Sequence, residues 1–215
     1  MITKGALTIG LTGLMLSACI KHEVIPPPIP MVDLEADFIG NIQGTDVEYT
    51  QHVLGYDNQS SKAKIILPPP SLSSAVYYAE MGSSQLIPSI KISLGSVLWD
   101  SGSSLDPTLS LFNNFFLVND SPPYSNGGVN GFAVTYTDQT GRNWTSSESS
   151  LNAQDVQFTE IVQESDSTGD YSKFVCNFNC YLYSLHPDSL ALSPPVNHMD
   201  SIQIQDAIYT GWFKR

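Results

Sequence analysis

The chain has 215 residues, with nine Lys and Arg against 21 Asp and Glu, and its formal net charge at pH 7 is −12. This length allows one good-sized hydrophobic core or two small ones. The acidic balance argues against nucleic-acid binding, because a negative surface repels phosphate backbones.

The first twenty residues have the pattern of a secretory signal. Lys4 is the only charged residue among them, and residues 5–20 form an apolar run. This run is shorter than the roughly 20 apolar residues of a membrane-spanning helix, but it has the length of a signal-peptide core. It contains Leu16-Ser17-Ala18-Cys19, which resembles the lipobox of bacterial lipoproteins.

The resemblance implies that diacylglycerol is attached to Cys19, that residues 1–18 are removed, and that the new amine is acylated. Two or more acyl chains hold a protein stably on a bilayer, at about 0.8 kcal/mol per buried methylene. The alternatives are an ordinary signal cut after Ala18 and an uncleaved anchor. The mature chain would have eight basic residues against 21 acidic ones, and a formal charge of −13.

Residues 19–32 are predicted to be a lipidated, Pro-rich tether. Its prolines favour extended polyproline, near 3.1 Å per residue, so it can span roughly 30–40 Å. Position 20 is Ile, whereas Asp at this position retains lipoproteins at the inner membrane, so the resemblance implies outer-membrane delivery. Lys21-His22-Glu23 is similar to a surface-export signal of Bacteroidota lipoproteins. Periplasmic and surface-exposed orientations both stay open.

Residues 33–215 are predicted to form a single β domain. Alternating apolar residues and turn signals predict strands in nine stretches: residues 36–42, 47–51, 75–81, 89–98, 132–137, 143–145, 155–164, 171–185 and 201–213. A polar, Pro-rich loop is expected between the second and third stretches. One helix is expected, with Asp106 as N-cap and Pro107 as its first residue. Apolar residues then recur at helical spacing: Leu109, Phe112, Phe115 and Phe116.

Eight or nine strands with one short helix predict an all-β, jelly-roll-like antiparallel sandwich, and a partly closed barrel is the alternative. The chain resembles uncharacterised β-rich lipoproteins of Bacteroidota in three stretches: Ala36-Asp37-Phe38 with Gly44, residues 136–144 (YTDQTGRNW), and residues 208–213 (IYTGWF). No settled activity comes with that resemblance.

Cys176 and Cys180 are predicted to be small buried residues on one face of a strand. Four strand steps separate their Cα atoms by about 13 Å, and a disulfide tolerates about 7 Å at most. We therefore expect no bond between them unless the segment bends. Further metal ligands at a suitable spacing are lacking, and neither a metal nor a cofactor is expected.

Catalytic motifs are absent from the sequence. It has no Gly-x-Ser-x-Gly elbow and no His-Glu-x-x-His cluster, so His52, His186 and His198 are expected to be solvated or structural. Glu160 and Glu164 would lie about 13 Å apart on one strand face, beyond the separation used in glycoside hydrolysis. The sequence leans against an enzyme without deciding the question.

Aromatic residues provide a candidate binding surface. Exposed rings beside polar side chains suit sugar recognition, because each ring offers apolar area with a polar handle. The alternative is that these rings cover the core. The candidate residues are Tyr77, Tyr78, Trp99 and Trp144.

Three Asp-Ser-x tripeptides resemble the O-glycosylation acceptor of Bacteroidota envelope proteins. All three are expected in or beside turns, where a glycan can be accommodated. The candidate acceptors are Ser167, Ser189 and Ser201.

We therefore expect a membrane-anchored envelope lipoprotein that acts as a non-catalytic binding or structural module. Its expected partners are the bilayer, through acylated Cys19, and a glycan or an outer-membrane protein. One alternative is an envelope hydrolase whose site is assembled from residues far apart in sequence. The other is a carrier of apolar ligands, which needs an interior cavity.

Overall fold

The computed structural model describes residues 31–102, 104–125, 130–148, 153–187 and 197–215. The predicted signal peptide and residues 19–30 of the predicted tether lie outside these ranges. The strands are β1 (Asp37–Ile42), β2 (Thr45–Thr50), β3 (Tyr56–Ile65), β4 (Ser73–Ser83), β5 (Ser89–Trp99), β6 (Gly131–Thr137), β7 (Asn143–Ser146), β8 (Asp155–Asp166), β9 (Gly169–Pro187) and β10 (Asn197–Lys214). The helix α1 (Leu109–Val118) lies between β5 and β6.

All ten strands belong to one sheet with the order β2-β1-β10-β9-β7-β6-β5-β4-β3, and β8 pairs with β9. Every pairing between strands is antiparallel. The prediction of an all-β antiparallel fold with one short helix is confirmed. The terminal strands β2 and β3 do not pair with each other, so the sheet is not closed into a barrel.

Strand β9 divides the sheet into two layers. On one side it pairs with β10 along its length, and on the other its residues 169–179 pair with β8 while Leu182 and Tyr183 pair with β7. The branch from β7 to β3 folds over the other strands, so that β3 and β4 contact β10. Two parts of one sheet thereby pack face to face, as in a sandwich.

The core between the layers is rich in aromatic rings. Phe116 of α1 stacks on Phe213 of β10, with ring centroids 4.8 Å apart, and Tyr77 of β4 meets Phe116 edge-on at 5.6 Å. Alternate side chains of β9 are also buried, as a period of two requires: Phe174, Cys176, Phe178, Cys180 and Leu182.

Helix α1 begins later than the sequence predicts. Its N-cap is Thr108, whose Oγ1 accepts a hydrogen bond at 3.3 Å from a backbone N–H of the first turn. The prediction of Asp106 as N-cap and Pro107 as the first helical residue is therefore wrong. The Asp106 carboxylate instead accepts hydrogen bonds from Nζ of Lys62 and Lys64, at 2.7 and 2.9 Å. These two charged donors satisfy it outside the helix.

Strand β3 lies where the sequence predicts a loop. Tyr56 is its one buried aromatic residue, and the next inward-facing residues, Asn58 and Ser60, are polar, so the apolar alternation that identifies a strand is missing. Asn58 accepts a hydrogen bond from the Tyr209 hydroxyl at 2.6 Å, and Ser60 Oγ accepts one from the Lys214 backbone N–H at 2.8 Å. Hydrogen bonds therefore connect β3 in one layer to β10 in the other.

Candidate functional site

The start of the domain is fastened to the β8–β9 turn. The backbone N–H of Val32 donates to Asp166 Oδ2 at 2.8 Å, and the backbone N–H groups of Thr168 and Gly169 donate to Oδ1. The hydrogen bond from the Thr168 hydroxyl, together with these backbone donors, lowers the pKa of Asp166 to about 2. The carboxylate is thus ionised at neutral pH and holds the beginning of the domain at this turn.

The carboxyl terminus lies at the same end of the domain. Arg215 Nε donates to Asp170 Oδ2 at 2.6 Å, and its Nη1 donates to the Pro107 carbonyl at 3.1 Å. The Lys214 ammonium lies 5.4 Å from the ring centroid of Tyr171. These contacts connect the β8–β9 turn with the loop before α1. We call this region, defined by Val32, the β8–β9 turn, Arg215 and Pro107, the tether end.

Three of the four rings of the candidate aromatic surface are buried. Tyr77, Trp99 and Trp144 are 0, 4 and 8% exposed, whereas Tyr78 is partly exposed. The Tyr77 hydroxyl has no hydrogen-bond partner within the described ranges, and burial raises the pKa of Tyr77. Arg142 covers Trp144, with its guanidinium carbon 4.2 Å from the ring centroid. The four rings form no continuous exposed strip, because three of them cover the core.

The candidate glycosylation sites differ in their placement. Ser167 is exposed in the β8–β9 turn, and Ser189 lies outside the described residues. Ser201 is also exposed, but it lies inside β10 and pairs with Tyr183 of β9. Ser201 is predicted to start the last strand, beside a turn, but β10 begins four residues earlier, at Asn197, so Ser201 is not next to a turn. Glycosylation of these serines stays a prediction.

The three histidines of the domain lie in different settings. His52 is exposed in the β2–β3 connection. His198 Nε2 lies 3.5 Å from Asp200 Oδ1, and the His198 side chain is 70% exposed. The backbone of His186 pairs with that of His198. Among the described residues, no group of three or more His, Cys, Asp and Glu side chains could hold a metal ion.

Cys176 and Cys180 are free, buried thiols. Burial raises the pKa of Cys180 to about 12 and also raises that of Cys176. Both thiols are therefore protonated at neutral pH and unreactive, since the thiolate is the nucleophile and the metal ligand. The prediction that these residues are small core side chains is confirmed.

Two open grooves with acidic side chains lie on the surface of the sheet. One, with a volume of about 560 Å³, runs along β1 and β2 and includes Asp33, Glu35, Glu48 and His52. Another, of about 250 Å³, shares Asp33 and Glu35 and includes Glu160. Acidic side chains outnumber basic ones in both grooves, and no hydroxyl among their lining residues is seen to hydrogen-bond to a histidine. The arrangement offers polar contacts rather than a nucleophile with its base.

Exposed apolar side chains gather at two opposite ends of the domain. Such patches on a soluble domain mark interaction surfaces. The first, which we call the β3–β4 tip, comprises residues that are 40 to 68% exposed: Ile65, Ile66, Leu67, Leu72, Leu98 and Leu105. The second, which we call the distal patch, lies near the β2–β3 and β4–β5 turns: Val53, Leu54, Leu86 and Ile87.

Across the described ranges, α1 included, no helix has both the length and the apolar character needed to cross a membrane. Comparison with protein-family models, with curated proteins and with solved structures found no match to this chain. Conclusions about function therefore depend on the residues and on their arrangement.

Proposed function

We propose that the protein is a lipid-anchored envelope lipoprotein whose β domain acts as a non-catalytic binding or structural module. The observation that carries this proposal is the sequence Leu16-Ser17-Ala18-Cys19 at the end of an uncharged apolar run. An apolar stretch followed by small residues and Cys is what lipoprotein processing requires. Ile20 after the acylated Cys favours the outer membrane as the destination.

The independence of the β domain supports the proposal. Residues 31–215 form one compact unit, and its buried apolar residues lie between Ala36 and Phe213. The described part of residues 31–215 therefore has a hydrophobic core of its own. A domain with its own core can be carried on a tether without loss of structure.

The chemistry of the described residues supports a binding or structural role over a hydrolase. The carboxylates of Asp138 and Asp166 have pKa values near 2, but both are occupied by hydrogen bonds inside hairpin turns. Aromatic rings pack against one another in the described core, which favours a surface for binding over an apolar-ligand carrier. Solvent-facing grooves and apolar patches offer surfaces for contact instead.

Acylation is tested by expressing the full chain and Cys19→Ser in a Gram-negative host supplied with an alkyne-tagged fatty acid. We expect the wild-type chain to carry the tag, to partition into detergent and to begin at Cys19, while Cys19→Ser stays untagged. Ser17→Ala, which keeps a small residue in the lipobox, is the matched control and should be processed normally. A wild-type protein that begins at Met1, or that lacks the tag, contradicts the proposal.

Binding is tested separately with purified Cys19→Ser protein on a glycan array and against solubilised envelope fractions. A binding module gives saturable binding to a defined glycan or protein. Turnover of a glycan or peptide, detected by mass spectrometry of the products, would instead favour the hydrolase alternative.

A further inference from the structure

The β3–β4 tip lies at the end of three adjacent strands. Strand β3 contacts the last residues of β10 at Ser60, and Ile65 lies five residues further on, or about 16 Å along the strand. Ile65 and Leu98 both pair with Ser74, from β3 and β5 respectively. Directly paired residues share a face, so these two side chains flank Ser74 on the outer face of the sheet.

Contacts between two loops make the tip one continuous surface. Ser101 Oγ donates to the Leu67 carbonyl at 2.6 Å, and Lys64 Nζ donates to the Leu105 carbonyl at 3.2 Å. Gly102 packs so closely on Pro69 that a Cβ at that glycine would lie 3.2 Å from Pro69 Cγ. The loop after β3 and the loop before α1 therefore present their apolar side chains together.

The tip lies at the tether end of the domain. Lys214 packs on Gly169, the first residue of β9, and its neighbour Arg215 reaches the Pro107 carbonyl. The adjacent Asp106 binds Lys62 and Lys64 on β3. Because Val32 is fastened to the β8–β9 turn, the β domain begins at the end that carries the tip.

Charge distinguishes the tip from the rest of the surface. Residues 31–215 contain seven basic and 20 acidic side chains. At the tip, Lys62 and Lys64 share the carboxylate of Asp106, and Asp100 is the remaining charged side chain in the two loops, so the four charges cancel. An apolar, electrically balanced surface can approach anionic headgroups that repel an acidic one.

We propose, on the basis of the proposed acylation of Cys19, that the β3–β4 tip inserts into the boundary between headgroups and acyl chains of the bilayer that holds the anchor. The tether is long enough to leave the orientation of the domain free, but burial of exposed Ile and Leu side chains in lipid is favourable. The bilayer is the occupant that we infer, because the domain begins on the side of the tip and the charges at the tip balance. The distal patch then points away from the membrane.

The proposal is tested with the mature acylated protein in vesicles of phosphatidylethanolamine and phosphatidylglycerol. An environment-sensitive fluorophore is attached to Ser71→Cys in the tip or, as the control, to Gln139→Cys in the β6–β7 turn at the opposite end. Both positions are exposed, and the native Cys176 and Cys180 are buried. We expect lipid-borne quenchers to reach the label at position 71 severalfold better than the label at position 139, independently of salt concentration because the tip charges cancel.

Matched surface variants test whether the apolar side chains are responsible. Ile66→Ser with Leu67→Ser should return the position 71 label to water, whereas Leu86→Ser with Ile87→Ser in the distal patch should leave it in lipid. Near-UV circular dichroism checks that both variants keep the native fold. Equal quenching at positions 71 and 139 in the acylated wild type overturns the proposal.

Other outcomes separate this inference from the proposed function. A protein without fatty chains on Cys19 contradicts both. An acylated protein whose position 71 label stays in water contradicts only the insertion of the tip. Shielding of that label in detergent micelles, together with cross-linking between two tips, would assign the surface to a second copy of the chain and also overturn the proposal.

Discussion

Asn58 illustrates how a polar side chain can connect two layers of a sandwich. It is 5% exposed, and its Oδ1 accepts a hydrogen bond from the Tyr209 hydroxyl at 2.6 Å. Burial raises the pKa of Tyr209 far above its usual range, so the hydroxyl stays protonated and available as a donor. Each partner would be left with the cost of its own desolvation if the other were removed.

We expect Asn58→Ala and Tyr209→Phe each to lower the free energy of unfolding by about 1–3 kcal/mol, because each variant leaves a buried polar group unpaired. The double variant should lose less than the sum of the two losses. Urea unfolding measures these differences. Gln59→Ala, at an exposed neighbouring position, should change stability by no more than about 0.5 kcal/mol. Strict additivity would show that the hydrogen bond contributes nothing.

At the scale of elements, two residues before α1 have different roles: Thr108 caps the helix, and Asp106 forms ion pairs. Thr108→Ala removes the side chain that caps the first turn and should cost about 1 kcal/mol of stability. Asp106→Ala removes partly exposed ion pairs, so it should cost between about 0 and 1 kcal/mol. Thermal and urea unfolding of the two variants should give this order of stability losses. A larger loss of stability for Asp106→Ala than for Thr108→Ala would indicate that Asp106 caps the helix.

Apolar alternation predicts those strands whose buried residues are apolar. β4, β5 and β9 were predicted on this basis, with ends that differ by a few residues. β3 was missed because Asn58 and Ser60 hydrogen-bond to the opposite layer, and such partners are more than 150 residues away in the chain. The prediction that Asp106 caps α1 was wrong for a related reason, because its partners Lys62 and Lys64 come from another element.

The candidate site was less predictable than the fold. Alternation shows that Tyr77 and Tyr78 point to opposite faces, but it does not show which face is the core. Which ring is buried depends on how the branch from β7 to β3 folds over the other layer. That branch begins where β9 changes its partner from β8 to β7, and no local sequence signal marks this position. The β3–β4 tip was also missed, because its residues lie in two loops that only the fold brings together.

At the scale of the whole molecule, two hairpin turns make stability sensitive to acid. Burial opposes ionisation of Asp138, but hydrogen bonds from Thr140, Trp144 and the Arg142 backbone outweigh it and lower the pKa to about 2. Asp166 also has a pKa of about 2, mainly through Thr168. An unfolded Asp titrates near 3.9. Between these values the unfolded chain binds more protons, so stability falls as the pH drops from about 4 to about 2.

We expect Asp138→Asn to remove part of this acid sensitivity, whereas the wild type should lose about 1–2 kcal/mol through Asp138 between pH 4 and pH 2, after allowance for solvent screening. Urea unfolding at a series of pH values measures the slope. Gln139→Ala, an uncharged change in the same turn, should keep the wild-type pH dependence. An unchanged slope in Asp138→Asn would contradict the assignment.

The position of β10 in the sheet determines when the sheet can be completed during synthesis. The last strand along the chain, β10, lies between β1, the first strand, and β9. The β1–β2 hairpin therefore cannot join the sheet until residues 197–214 have been synthesised. Pairings of such long sequence separation form slowly. The complete sheet therefore forms only after residues 197–214 have been synthesised, and until then one edge of β1 stays open to other strands.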